Sequence, residues 1–232
     1  MTAASRPQVV TLRSGDVVRL RQVQPGDAPA LARAYANLGE QSRYRRFFTV
    51  MPDLPESTLK AAVEVDHENH EALVAVPLRS AEIVGECRFI RNADQPDSAD
   101  AGVTVVDAWQ GRGLGSALLT RLSERALELG IEYFTADILA ENRTMLALLR
   151  RLGKVETESS GPVVTARIEI AEPPGHTRQN LLDLLIAAAR GEIVSVPVLL
   201  RRLIRVPDEF SHLIRLPVTA LLRTLRMRPP AE

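Results

Sequence analysis

The stretch Gln110-Gly111-Arg112-Gly113-Leu114-Gly115 lies between a short β-branched run and a series of leucines at helical spacing. Residues 102–106 before it predict a strand, and residues 116–129 after it predict a helix. A glycine-rich turn between a strand and a helix presents backbone amides that have no partner within the helix, and the helix dipole adds partial positive charge. Because glycine has no Cβ, a ligand can approach the backbone closely. The stretch therefore predicts a binding site for a diphosphate.

The spacing of the glycines narrows the choice of diphosphate ligand. A Walker-type loop ends in Gly-Lys-Ser/Thr, but Ser116 follows Gly115 directly, without a lysine. A dinucleotide fingerprint needs a third glycine three residues after the second, and Ser116 or Leu118 occupies that place here. Asp137 stands where a ribose-binding acid would be expected, so the dinucleotide interpretation stays open. A tight turn without any ligand is the third alternative.

The same stretch resembles the acetyl-CoA loop of the GNAT N-acetyltransferase superfamily, whose pattern is Gln/Arg-x-x-Gly-x-Gly/Ala. Gln110, Gly113 and Gly115 match that pattern, Asn142 follows after one further strand, and the resemblance extends over residues 17–170. It implies an α+β (mixed α/β) fold with a central mixed sheet flanked by helices. It also implies transfer of an acetyl group from acetyl-CoA to a primary amine.

The resemblance implies specific contacts to acetyl-CoA. A backbone amide near Val105 or Val106 would polarise the thioester oxygen, Asn142 would hold the CoA arm, and Arg112 and Arg143 would pair with its phosphates. The complete set of implied acetyl-CoA-binding residues is Val105, Val106, Gln110, Gly111, Arg112, Gly113, Leu114, Gly115, Ser116, Asn142 and Arg143.

A second segment, Ser42-Arg-Tyr-Arg-Arg-Phe-Phe48, resembles the Ser-x-Tyr-x-Arg-Phe-Phe segment of GNAT domains in bacterial Pat-type protein lysine acetyltransferases. In that superfamily this region lines the acceptor channel. Tyr44, Phe47 and Phe48 would then form an apolar substrate-binding wall, while the three arginines of the segment stay solvated. The alternative is an ordinary amphipathic helix with aromatic residues in the core and arginines on the surface.

Amine acetylation needs a group that removes a proton from the amine, and two carboxylates are candidates for that general base. Asp100 lies ten residues before Gln110, where Pat-like sequences carry a glutamate, and its shorter side chain would act through a water. Glu86 on the preceding strand is the rival. The alternative for either is a solvated charge at a strand end. Many GNAT relatives carry a tyrosine that protonates the leaving thiolate, but Leu149 occupies that position here.

Composition fits one catalytic domain with an appended segment. The chain has 232 residues, 45% of them hydrophobic, and its formal net charge of zero gives no reason to expect nucleic acid. We expect a GNAT-like domain over residues 1–172 and a helical extension over 173–232, separated at Pro173-Pro174-Gly175. The basic, amphipathic extension is expected to pack on the domain or to form a homodimer, in preference to contacting a membrane surface.

The remaining residues predict neither a disulfide nor a metal site. Cys87 is the only cysteine, which agrees with a reducing compartment, and the amino terminus does not resemble a signal peptide, so a cytoplasmic location is expected. His67 and His70 stand one residue too close for a zinc motif and are expected in a surface loop. Two other functions stay open: acetylation of a small-molecule amine, and a non-catalytic acyl-CoA-binding sensor.

Secondary structure outside the glycine loop is predicted by alternation and turn residues. The sequence predicts strands over residues 9–12, 17–23, 72–76, 83–90, 133–139 and 163–170, and helices over 30–38, 42–48, 56–65 and 143–152.

Overall fold

The computed structural model describes residues 6–48 and 54–171. Within these ranges eight strands form one sheet in the order β1-β2-β3-β4-β5-β6-β8-β7. The strands are β1 (Gln8–Thr11), β2 (Val17–Gln22), β3 (His70–Pro77), β4 (Gly85–Arg91), β5 (Ser98–Val105), β6 (Tyr133–Leu139), β7 (Gly153–Ser160) and β8 (Val163–Ile170). The helices are α1 (Ala28–Ala36), α2 (Glu40–Phe47), α3 (Glu56–Val63), α4 (Leu114–Glu128) and α5 (Arg143–Leu149).

The sheet is mixed, as the sequence predicts. β1 to β5 pair with their sequence neighbours in antiparallel fashion, and β6 and β7 each pair with β8 antiparallel. β5 and β6 are parallel, because α4 returns the chain to the edge at which β5 began. The glycine loop therefore lies where a strand passes into the crossover helix, which is the place where sheets of this kind bind ligands.

β5 and β6 pair over only three residues and then separate. The paired residues are Ser98 with Tyr133, Ala99 with Phe134 and Asp100 with Thr135. Beyond them the strands run on to Val105 and Leu139 without a common ladder, and this opens a cleft in the middle of the sheet.

The two faces of the sheet carry different helices. One hydrophobic cluster contains α4 residues such as Leu118 and Leu122 with Phe134 from β6, and another contains α1 and α3 residues such as Leu31 and Val63. Val103 and Val105 pack against the α4 cluster. Since successive side chains of a strand point to opposite faces, Asp100, Gly102 and Thr104 share the other face of β5, on which α2 lies.

The structure contains a strand that the sequence did not predict. This strand, β7, pairs with β8 along its whole length. A Cβ on Gly153, its first residue, would stand 1.7 Å from the carbonyl oxygen of Glu169, so this position requires glycine.

The expectations for residues 173–232, including helices, a dimer interface and membrane contact, fall outside the described residues. No helix in the described part of the chain is long and apolar enough to cross a membrane.

Candidate functional site

The glycine loop leads from β5 into α4, as the sequence predicts. Gly111 and Gly113 adopt left-handed φ angles of 73° and 92°, which L side chains rarely tolerate. Gly113 is the N-cap of α4, so the amides of Leu114, Gly115 and Ser116 form the first turn and lack intrahelical acceptors. The Leu114 side chain is buried, so this residue can offer only its backbone to a ligand.

Two neighbouring cavities occupy the cleft between β5 and β6. The first, which we call the loop cavity, has a volume of about 650 Å³ and is lined by the glycine loop, the end of β5 and α5. The second, which we call the strand cavity, has a volume of about 610 Å³ and is lined by β5 residues 100–103 and β6 residues 135–138. Both cavities are lined by Arg45, Arg46, Val103, Asn142 and Met145.

Most of the predicted acetyl-CoA-binding residues line the loop cavity. Those that do are Val105, Gln110, Gly111, Gly113, Leu114, Gly115, Ser116, Asn142 and Arg143. The Gln110 side-chain nitrogen donates to the carbonyl oxygen of Val105 at 3.1 Å and to Ser42 Oγ at 3.2 Å, which ties the loop to β5 and α2. Asn142 caps α5, since its Oδ1 accepts from the Met145 amide at 3.1 Å.

The Val106 amide and the Arg112 side chain, both predicted to contact acetyl-CoA, are paired with other groups of the protein. The Val106 amide donates to the carbonyl oxygen of Val84 at 3.0 Å, so it is already used in pairing with the β4 side. Since backbone groups of successive strand residues point to opposite edges, the Val105 amide is the one that faces away from β4. The Arg112 guanidinium lies 2.9 Å from Asp16 and 4.9 Å from the Trp109 ring centre, and Arg112 does not line either cavity.

Two cationic residues that sequence reasoning missed line the loop cavity instead. Arg13 comes from the turn between β1 and β2, and its amide donates to the carbonyl oxygen of Arg112 at 3.2 Å. Arg151 follows α5. No local sequence signal marks either residue. Arg13 is separated from the glycine loop by about a hundred positions, and folding of the chain brings the two together. With Arg143 they make this cavity suited to phosphates.

Asp100 lies in the strand cavity, and its neighbours hold it there. The carboxylate is exposed to solvent and accepts a hydrogen bond from Thr135 Oγ1 on the paired strand. Leu149 is buried and lines the same cavity. The residue at the position of the GNAT tyrosine therefore offers this cavity an apolar side chain and no hydroxyl group. An exposed carboxylate at the closed end of the cleft can exchange protons with solvent or with a bound amine.

Glu86 is not placed to meet a substrate. It is 2% exposed, lines neither cavity, and accepts hydrogen bonds from Tyr35 Oη at 2.7 Å and from Arg88 Nε. Burial by itself raises the pKa of the Glu86 carboxyl, but the charges of Arg88 and Arg46 and the Tyr35 hydroxyl outweigh it and hold the pKa below its usual value. A buried, fully paired and weakly basic carboxylate stabilises its cationic neighbours and makes a poor proton acceptor.

The three aromatic residues in and directly after α2 that the sequence assigns to an acceptor wall lie in different surroundings. Phe48 lines the strand cavity, but Tyr44 is exposed to solvent and lines neither cavity, and Phe47 packs its ring 5.8 Å from that of Tyr35 in the core. The arginines were expected to stay solvated, but Arg45 and Arg46 line both cavities. The helical period turns positions 45 and 46 toward the cleft, which a single segment without its packing partners does not reveal.

The other chemically suggestive residues have structural partners. Cys87 is fully buried, burial raises the pKa of its thiol, and Sγ lies 3.4 Å from the carbonyl oxygen of Leu118. His67 contacts Glu71 and His70 contacts Arg88. Among the described residues no group of three or more His, Cys, Asp or Glu side chains could hold a metal ion.

Comparison with known proteins agrees with this geometry. Residues 18–155 match the family model of the acetyltransferase (GNAT) domain. The acetyltransferase Pat of Mycolicibacterium smegmatis is 30% identical over 199 residues, and the alignment covers 84% of this chain and 59% of that protein. The acetyltransferase PA5475 of Pseudomonas aeruginosa is 26% identical over 149 residues, which cover 63% of this chain and 80% of that protein.

A solved structure gives the same result. The crystal structure of the GNAT domain of S. lividans PAT superposes with a TM-score of 0.66 at 28% identity and covers 71% of this chain and 97% of that one. The chain spans about 59% of the length of its Mycolicibacterium relative. On the family match, the similarity to Pat and the mixed sheet with its glycine loop, the chain belongs to the GNAT acetyltransferase family.

Proposed function

We propose that this protein transfers an acetyl group from acetyl-CoA to a primary amine, with Asp100 as the general base. The observation that carries the proposal is the cleft between β5 and β6, which has the glycine loop at one end and Asp100 at the other. A long donor with a diphosphate at one end and a thioester at the other suits that arrangement. The Pat-type resemblance implies a protein lysine as the acceptor.

The residues of the loop cavity fit the diphosphate part of acetyl-CoA. A Cβ on Gly113 would stand 3.3 Å from Arg13 Cγ, and one on Gly115 would stand 3.4 Å from Leu148 Cδ2, so side chains at these positions would fill the cavity. Unpaired amides at the start of α4 bind phosphate oxygens, and Arg13, Arg143 and Arg151 supply charge. When bound, acetyl-CoA supplies an activated acyl group.

The residues near the strand cavity supply orientation and proton transfer. The Val105 amide faces away from β4 and donates to the oxygen that becomes negative during attack. Asp100 removes the proton from the attacking amine, directly or through a water, while Thr135 fixes the carboxylate. With Leu149 in place of tyrosine, solvent protonates the departing thiolate.

Calorimetric titration of acetyl-CoA, followed by a CoA-release assay with peptide and small-amine acceptors, tests the proposal. We expect saturable binding to the wild type and an affinity at least about 10-fold lower for Gly113→Arg, because that side chain enters the loop cavity from a left-handed position. Gly130→Arg is a matched control, since Gly130 also has a left-handed φ of 81° but lies beyond α4 with open space around it. Absence of binding to folded wild-type protein would overturn the proposal, whereas binding without CoA release from any acceptor would favour the sensor.

Exchange of arginines at the loop cavity gives a second test. Arg13→Gln removes a cation that lines the cavity, and we expect the acetyl-CoA Kd to rise about 5- to 10-fold, as for the loss of one charge-assisted hydrogen bond. Arg112→Gln removes the same charge from a side chain already bound to Asp16, and we expect less than about a 2-fold change. The opposite order of effects would show that the guanidinium of Arg112 turns to the ligand.

A further inference from the structure

Arg45 and Arg46 are adjacent arginines of α2 that line both cavities of the cleft. The Arg46 Nε donates to Thr104 Oγ1 at 3.1 Å, and its guanidinium carbon lies 3.2 Å from the place where a Cβ on Gly102 would stand. Gly102 and Thr104 share their face of β5 with Asp100. The Arg46 charge therefore lies on the same side of the strand as the proposed base.

Arg45 has bonding capacity that the described residues do not use. Its Nε is buried and has no hydrogen-bond partner among them. Buried donors in native proteins are nearly always satisfied, and a guanidinium nitrogen is costly to leave unpaired. Arg45 lines both cavities, so an anion in the cleft toward which its side chain turns would give this nitrogen an acceptor.

The opposite wall of the strand cavity is acidic. Asp100 accepts from Thr135, and Asp137 accepts from Thr165 Oγ1 at 2.7 Å. Both carboxylates line the cavity that Arg45 and Arg46 enter from α2. The cavity thus has a basic wall on the helix and an acidic wall on β5 and β6.

We propose that the acceptor is an amine with a carboxylate close to it; the inference rests on the function proposed above and names its substrate class. The amine contacts Asp100, and the carboxylate pairs with Arg45 and Arg46. Guanidinium groups bind carboxylates through paired, charge-assisted hydrogen bonds. A plain alkylamine brings no carboxylate to Arg45 and Arg46 in this partly enclosed cleft, so it binds more weakly. Free amino acids and lysines beside an acidic residue in a peptide both carry this chemistry.

Paired acceptors that differ only in the carboxylate test the inference. Binding is measured by competition or calorimetry in the presence of CoA, which cannot transfer an acyl group, for free lysine against lysinamide and for a Lys-Asp peptide against its Lys-Asn counterpart. We expect the carboxylate member of at least one pair to bind about 10- to 100-fold more tightly to the wild type. The pair that shows the preference tells whether the carboxylate belongs to a free amino acid or to a peptide.

Two variants locate the source of the preference. In Arg45→Gln we expect the preference to fall below about 3-fold, since one of the two guanidinium groups is lost. Arg79→Gln removes an arginine from the exposed turn between β3 and β4 and should leave it unchanged. A wild type that binds carboxylate and carboxamide equally, or a preference that survives in Arg45→Gln, would overturn the inference.

A parallel CoA-release assay with acetyl-CoA separates this inference from the proposed function. CoA release without any carboxylate preference overturns the inference and leaves the acetyl transfer standing. A carboxylate preference in binding without CoA release from any acceptor supports the inference and overturns the transfer reaction.

Discussion

Replacing Asp100 with asparagine is expected to lower kcat for acetyl transfer about 10²- to 10⁴-fold, the usual contribution of a positioned general base. Asparagine keeps the shape of the side chain and can still contact Thr135, but it cannot take a proton from an amine. Asp100 lines the strand cavity and is absent from the loop cavity, so the acetyl-CoA Kd should stay within about 2-fold. Steady-state CoA release and calorimetric titration measure the two quantities separately.

Two further variants make the test of Asp100 specific. Asp94→Asn removes the same charge from an exposed loop residue that lines neither cavity, and kcat should not change. Asp100→Glu introduces the side chain that Pat-like sequences carry at the matching place, and it should retain activity because the carboxylate still points into the strand cavity. Equal kcat for Asp100→Asn and the wild type would remove Asp100 from the mechanism.

Replacing Arg125 with methionine is expected to destabilise the protein by about 3–5 kcal/mol. Arg125 on α4 is 5% exposed, and its Nε donates to Glu71 Oε2 at 2.9 Å, while Glu71 on β3 is fully buried. Gln22 and His67 also contact that carboxylate, at 2.9 Å and 2.6 Å. Without Arg125, Glu71 would remain as a buried charge without its main cationic partner. Urea-induced unfolding followed by circular dichroism measures the loss.

The double variant Glu71→Leu with Arg125→Met tests the cause of that loss. If the uncompensated carboxylate is responsible, the double variant should recover most of the stability, because a buried ion pair contributes little net free energy compared with apolar side chains of similar volume. Lys60→Met serves as a control. Its ion pair with Glu64 is 3.9 Å long and exposed, so we expect a change below about 0.5 kcal/mol. A double variant as unstable as the single one would assign the effect to lost packing.

Elements with strong local signals were predictable from the sequence. The β1–β2 hairpin, the glycine loop and α4 were predicted because glycine spacing and helical periodicity are local properties. β7 was missed because it is an edge strand with several exposed residues, so it lacks the alternation that marks a half-buried strand. Asp27 stands at the N-cap position of α1, but its carboxylate accepts from the Gln24 amide and from Arg21 and makes no hydrogen bond to the helix.

The candidate site was predictable where residues act through their backbone. The glycine loop was predicted to present backbone groups to a ligand, and Gly111, Gly113 and their neighbours line the loop cavity. Side chains that reach across the fold were not predictable. Arg13 enters from a distant hairpin, and whether Arg45 or Phe47 faces the cleft depends on the rotation of α2 against the sheet. Sequence reasoning weighed Glu86 as a base because it could not know that the carboxylate is buried.

The contact between the β1–β2 turn and the glycine loop makes the amino-terminal hairpin part of the structure that supports the candidate site. Asp16 binds the Arg112 side chain, and Arg13 binds the Arg112 carbonyl, so the turn braces the loop from outside. The family match begins at residue 18, after both of these residues. A fragment trimmed to that boundary would keep every glycine of the motif and yet lose edge strand β1, one loop-cavity cation and the brace. The motif and the contacts that support it therefore have different boundaries.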